Sequence, residues 1–255
     1  MAVSSNVTLA VRLQVPLLSI GRRVRFRHVR RTLRQVPPPA AVLDAGCGDG
    51  RLAHSLATRY PAASVVAIDS DANVVDANRR RHSDSITWEV GEIGSAPLPG
   101  AQFDLVVCVD VLEHVRDDGA GLLWLAQQLA LGGTLVLHVP AAGQRHIRSV
   151  GAALREEVSM GEGPHVREGY APHDLRRLLV GAGLDVQSVT STFHCAVVRG
   201  AVDCETWMYL RRARWLKALM LPVLLAAGAV ERRSSTHRNG NGCLAVARRL
   251  EVAPR

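Results

Sequence analysis

The chain has 255 residues, 47% hydrophobic and 21% charged, enough to bury a full core and too apolar for intrinsic disorder. Basic residues outnumber acids 31 to 23, giving a net charge of +8, and every one except Lys217 is arginine. Five scattered cysteines (Cys47, Cys108, Cys195, Cys204, Cys243) with no C-x-x-C pair argue against a disulfide framework or a zinc knot, so a reducing cytoplasmic setting is expected.

Residues 1–36 read as a basic N-terminal arm. Its first apolar stretch is broken by Arg12 and Pro16 and followed by arginines, so no secretion signal is expected. Eight arginines and no acid lie between Arg12 and Arg34, a block suited to phosphates, nucleic acid or an anionic membrane, or equally to a solvated helix face. Pro37, Pro38 and Pro39 close the arm as a stiff linker.

From residue 41, short β-type runs alternate with helical segments, the pattern of a parallel sheet flanked by helices. The expected order is strand Ala41–Ala45, helix Arg51–Arg59, strand Ser64–Ile68, helix Ala72–His82, strand Ile86–Val90 and strand Phe103–Val109. A helix over Gly119–Leu129 follows, punctuated by Gly132 and Gly133 before a strand over Thr134–Val139. Helix Ala171–Ala182, strand Leu184–Thr192 and a last strand Cys243–Ala247 complete a seven-stranded, mostly parallel, Rossmann-like α/β sheet with helices on both faces and its last strand antiparallel. The core is thus assigned to 37–200, a helical insertion to 201–242, and a closing strand and tail to 243–255. The apolar run Ala218–Val230 is too short to cross a bilayer, and the polar loop Ser234–Gly242 follows it.

Val42-Leu43-Asp44-Ala45-Gly46-Cys47-Gly48-Asp49-Gly50 sets three alternating glycines between a strand and a helix, where the backbone turns sharply and a ligand can approach closely. Gly48 to Ala53 also fits the G-x-G-x-x-A form of a dinucleotide fingerprint, with Asp69 downstream. Charge argues against the dinucleotide. Asp44 and Asp49 beside the turn would repel a pyrophosphate, whereas the ammonium and sulfonium of S-adenosylmethionine (SAM) suit an acidic loop.

LDAGCGDG (43–50), VVAIDSD (65–71), FDLVVCVDVLEHV (103–115) and LGGTLVLHVP (131–140) occur in that order. In these motifs the chain resembles the class I SAM-dependent methyltransferases, in particular the small-molecule group that includes the ubiquinone and menaquinone biosynthesis enzymes. The resemblance implies SAM as cofactor, with Asp44 near its methionine end and Gly46, Cys47, Gly48 and Gly50 lining it. It also implies that Asp69, followed by Ser70, accepts both ribose hydroxyls, and that Glu92 and Ile93 stand at the adenine. Asp110 opens the segment lining the cleft between cofactor and acceptor. His114 is the candidate general base and His138 a core residue, while His165 and Tyr170 belong to a substrate-side loop.

No metal site is expected, since no His, Cys or carboxylate cluster has ligand spacing, and Glu156-Glu157 reads as a solvated helix face. The expected activity is methyl transfer to a small-molecule acceptor, oxygen ahead of nitrogen or carbon, by in-line displacement. An RNA methyltransferase is the same-class alternative, although the arginine block offers only Phe26 for base stacking. A SAM-binding protein without turnover is the other alternative. The insertion, apolar at its centre and basic at its ends, is expected to cover the acceptor cleft or to touch a membrane surface peripherally.

Overall fold

A computed structural model describes residues 19–81, 85–95, 98, 102–144, 166–210, 214–230 and 240–250. The first half of the arginine arm, Glu156-Glu157, His165 and most of the polar loop 234–242 lie outside them.

The chain enters through α1 (Ile20–Leu33), then β1 (Ala41–Ala45), α2 (Arg51–Arg59), β2 (Ser64–Asp69), α3 (Ala72–Arg81), β3 (Ile86–Val90) and β4 (Phe103–Val109). A 3-10 turn (Leu112–His114) leads to α4 (Asp118–Gln128), β5 (Leu129–Pro140), α5 (Pro172–Gly181), β6 (Leu184–Thr192), α6 (Ala196–Leu210), α7 (Arg214–Val230) and β7 (Gly242–Arg249). The strands form one sheet in the order β3-β2-β1-β4-β5-β7-β6. The first five run parallel, and β7 is antiparallel to both β5 and β6. Strand order reverses between β1 and β4, and at such a switch point an open α/β sheet leaves a crevice beyond the carboxyl ends of its strands.

β-branched and leucine-rich runs make the central strands because both of their faces are covered. Leu43 and Ala45 point into the cluster beneath α4 and α5, with Leu125 and Leu179, while Val42 points the other way, toward α1 and α2. β5 is longer than the run Thr134–Val139 suggested. Its chain starts at Leu129, pairs with Phe103, and then shifts register before Leu105 and Thr134 meet. Gly133 sits in this irregularity, where a Cβ would lie 2.8 Å from the carbonyl oxygens of both Ala130 and Phe103, so the glycine pair shapes the strand rather than preceding it.

The basic arm contains an amphipathic helix. Ile20, Val24, Val29 and Leu33 of α1 are buried, and Val29 and Leu33 pack in the cluster that holds Val42, Leu52 and Leu56. The N-terminus of α1 is capped from α6, where the buried Glu205 carboxylate accepts from the Ile20 N–H at 2.7 Å. Ile20 and Val24 also join Phe193, Val198, Ala201 and Met208 in a third cluster, against which Met220 and Ala227 of α7 pack. α1, α6 and α7 thereby form a helical layer beside the carboxyl ends of the strands.

Candidate functional site

A cavity of about 950 Å³ opens at the switch point, lined by the β1–α2 loop, the ends of β2 to β5, and α1 and α6. The loop is built to a fixed shape. The Gly46 and Cys47 N–H groups both donate to the Ile68 carbonyl (2.9 and 2.8 Å), and Asn78 Nδ2 donates to the Gly48 carbonyl at 2.7 Å. Gly46 and Gly48 have φ of +83° and +51°, which L side chains rarely adopt. A Cβ on Gly46 would lie 2.2 Å from Val111 Cγ2, whereas one on Gly48 would meet nothing within 4 Å, so Gly48 is the point where the loop backbone faces open space.

Asp69 ends β2 at the floor of this space, half-buried, and its carboxylate is held at both oxygens: the Gly48 N–H donates to Oδ2 at 2.9 Å and the Asp71 N–H to Oδ1 at 3.0 Å. An ionised carboxylate has about four acceptor positions. Two therefore remain for a ligand that presents two donors, as a ribose diol does. This is the observation by which a nucleoside-containing cofactor fits the residues present.

Of the residues singled out in the sequence, Gly46, Cys47, Gly48, Asp69, Ser70, Glu92, Ile93, Asp110 and His114 line the cavity together. Asp44, Gly50 and Tyr170 are not in that lining. Gly50 backs onto Trp88 and Asn78 beneath the loop. Tyr170 is buried, its hydroxyl donating to the Leu112 carbonyl (3.3 Å) and accepting from Arg167 (3.0 Å), so it braces the 3-10 turn from behind.

Asp44 is 1% exposed, on the α2 side of β1. Burial pushes its carboxyl up to about 8, with Asp69 and Asp49 adding to the rise and a hydrogen bond from the Ala53 backbone opposing it. Arg22 of α1 forms an ion pair with Asp49. The acidity of the loop is therefore lower than its sequence implied, because Asp44 holds its proton at neutral pH and Asp49 is neutralised. The loop's charge therefore separates a methyl donor from a dinucleotide less sharply than the sequence suggested.

The buried proton on Asp44 has a consequence for stability. Between its unfolded value near 3.8 and its folded value near 8, the native state binds the proton and the unfolded state does not. Stability from this group is thus full at acid pH and is lost as pH rises toward 8, at about 1.4 kcal/mol per pH unit. Asp44→Asn, which cannot ionise, is expected to flatten this slope and to melt higher than the native sequence at pH 8, a comparison that thermal unfolding across pH checks directly.

Asp110 follows β4 with φ +53°, an uncommon conformation for a residue with a side chain, and its N–H donates to the His138 carbonyl at 2.9 Å. Its carboxylate forms an ion pair with Arg25 of α1 and accepts from His138 Nδ1 at 2.5 Å. Because a carboxylate only accepts, Nδ1 carries the imidazole proton, and Nε2 accepts from the Thr192 hydroxyl at 2.9 Å. Burial holds His138 below the ordinary imidazole value against the pull of Asp110. Burial would also lift Asp110, but Arg25, reinforced by His138, holds it below the ordinary carboxylate value.

Phe193, with φ +55°, stacks edge-on to the His138 ring, and a Cβ on Gly242 would come within 2.3 Å of Thr192 Oγ1 and 2.9 Å of His138 Nε2. Sequence reasoning placed His138 in the core, where it lies. It missed that this histidine, Thr192 and Arg25 together fix Asp110 at the cavity wall. Such pairs join residues far apart in the chain, and no local pattern encodes them. The ion pairs of Arg22 and Arg25 also withdraw two cations from the arginine block available to external phosphates.

The model of a methyltransferase domain matches residues 20–189. A ubiquinone biosynthesis O-methyltransferase of Xanthomonas axonopodis is 31% identical over 189 residues, covering 71% of this chain and 76% of that protein. An uncharacterized methyltransferase of Mycobacterium bovis is 42% identical over 97 residues, covering 38% of this chain and 48% of the relative, so the chain spans about half the length of the first curated relatives it matches. Among solved structures, a SAM-dependent methyltransferase from Mesorhizobium loti has a TM-score of 0.59 at 19% identity, covering 89% of this chain and 98% of its own, a likeness of fold.

Proposed function

This chain belongs to the class I SAM-dependent methyltransferases, and we propose that it moves the methyl group of SAM to a hydroxyl of a small-molecule acceptor. The observation that carries the reading is Asp69: a carboxylate fixed by two backbone amides, with two acceptor positions left, beside a loop whose backbone opens at Gly48. Glu92 and Ile93 continue the same wall for the base, with Ser70 beside Asp69. The similarity to a ubiquinone biosynthesis O-methyltransferase supports oxygen as the acceptor atom.

SAM supplies an electrophilic methyl carbon, and the chain's own residues supply alignment, which can account for most of the catalysis of an in-line displacement. Asp110 lines the cavity and would stand between SAM and the acceptor, its orientation set by Arg25 and His138. His138 has both ring nitrogens engaged, so its role here is positioning. His114, half-buried on the 3-10 turn and lining the cavity, would accept the proton that the acceptor hydroxyl loses on methylation.

Incubating the protein and SAM with fractionated small-molecule extract is expected to give a product heavier by one methylene group. In His114→Ala, kcat for that product is expected to fall by about a hundredfold with KM little changed, the scale of lost general-base catalysis. An unchanged kcat would remove His114 from the reaction. A labelled RNA fraction with no labelled small molecule would favour an RNA acceptor instead.

A further inference from the structure

Helix α7 carries an apolar surface that the fold leaves uncovered. Leu219, Pro222, Val223, Ala226 and Val230 are all exposed, Leu219 at 71% and Val223 at 59%. Their spacing of three, four, seven and eleven residues puts them within one stripe about 100° wide on an α-helix. On the flank of this stripe, Met220 and Ala227 contact the cluster shared by α1 and α6. Packing within the fold therefore accounts for that flank of α7 and leaves the stripe facing water. A continuous exposed apolar stripe of this kind marks an interaction surface.

The charges around it select the partner. From Thr206 to Val230 the sequence has no acid, and Arg211, Arg212, Arg214 and Lys217 precede the stripe while Glu231, Arg232 and Arg233, together still basic, follow it. A second copy docked through the same stripe, in either direction, would set one basic cluster against another. An anionic lipid surface satisfies both features, taking the apolar side chains below the headgroups and the basic flanks at their level. No helix among the described residues is long and apolar enough to cross a membrane, so α7 would lie along the surface rather than span it.

We infer that α7 docks this protein peripherally on an anionic bilayer through the Leu219–Val230 stripe. The layer that docks is the one whose other helices, α1 and α6, line the cavity with Arg25 and Val202, so the bilayer would sit against the roof of the site. The inference is independent of which acceptor is methylated.

Flotation of the full chain with phosphatidylcholine vesicles, with and without phosphatidylglycerol, tests it. The protein is expected to float with the anionic vesicles and not with the neutral ones. The double variant Leu219→Glu/Val223→Glu is expected to reduce the floated fraction by about tenfold or more, since two apolar side chains no longer leave water. Its melting temperature and S-adenosylhomocysteine binding should be unchanged, because both side chains face outward. Failure of the native protein to float with anionic vesicles, equal flotation with neutral ones, or undiminished flotation of a folded double variant would each overturn the inference. A dimer in sedimentation that the double variant dissociates would assign the stripe to a second copy and overturn it as well.

Discussion

Replacing Asp69 with alanine is expected to weaken SAM binding by at least about a hundredfold, because two hydrogen bonds to a charged acceptor are lost together. The carboxylate sits where β2 ends, and its geometry is set before any ligand arrives, since Gly48 and Asp71 each donate a backbone N–H to one oxygen. Asp69→Asn keeps one acceptor oxygen and replaces the other with a donor, so its affinity should fall between the two. Calorimetric titration of both variants measures this, and parallel melting curves separate lost ligand contacts from a loosened loop. Equal affinity in the native protein and Asp69→Ala would remove Asp69 from the cofactor site.

Gly46→Ala is expected to be the most damaging single-methyl change in the loop. The residue has φ +83°, and its new Cβ would fall 2.2 Å from Val111 Cγ2, with Val111 itself held at the start of the 3-10 turn. Backbone strain and overpacking together should cost about 3 kcal/mol or more, lowering the melting temperature by about 10 °C. Val111→Ala in the same chain should recover the steric part and leave the strain. Gly48→Ala is the contrasting case: its methyl meets nothing within 4 Å, so stability should fall less while cofactor affinity falls through intrusion into the cavity. Similar melting losses for the two glycines would contradict the packing derived for Gly46.

The sheet was readable from sequence wherever buried strands are short apolar runs closed by glycine, proline or aspartate. β1, β3, β4 and β6 have the bounds their composition suggests, and α2 ends before Pro61 as expected. β5 was underestimated because Gly132 and Gly133 resemble a turn, whereas pairing with β4 carries the strand through an irregularity. α1 was masked by its arginines, although Ile20, Val24, Val29 and Leu33 recur at helical spacing and point to a buried face.

The site was less readable, for reasons that differ by residue. Asp44, expected near the methionine end of the cofactor, lies by strand alternation on the face of Val42, which packs toward α1 and α2, buried and outside the cavity lining. The pairs Arg22–Asp49 and Arg25–Asp110 depend on where α1 docks, a tertiary fact without a local trace. The same holds for Asp110, which has a positive φ and whose carboxylate is held by His138 of a different strand.

The most direct test of the central claim is a calorimetric titration of the native protein with SAM, S-adenosylhomocysteine and NAD under identical conditions. Saturable binding of the first two with no heat from NAD is the predicted result. Binding of NAD in preference to SAM would contradict the assignment of the glycine loop and Asp69 to a methyl donor, and the proposed methyl transfer with it.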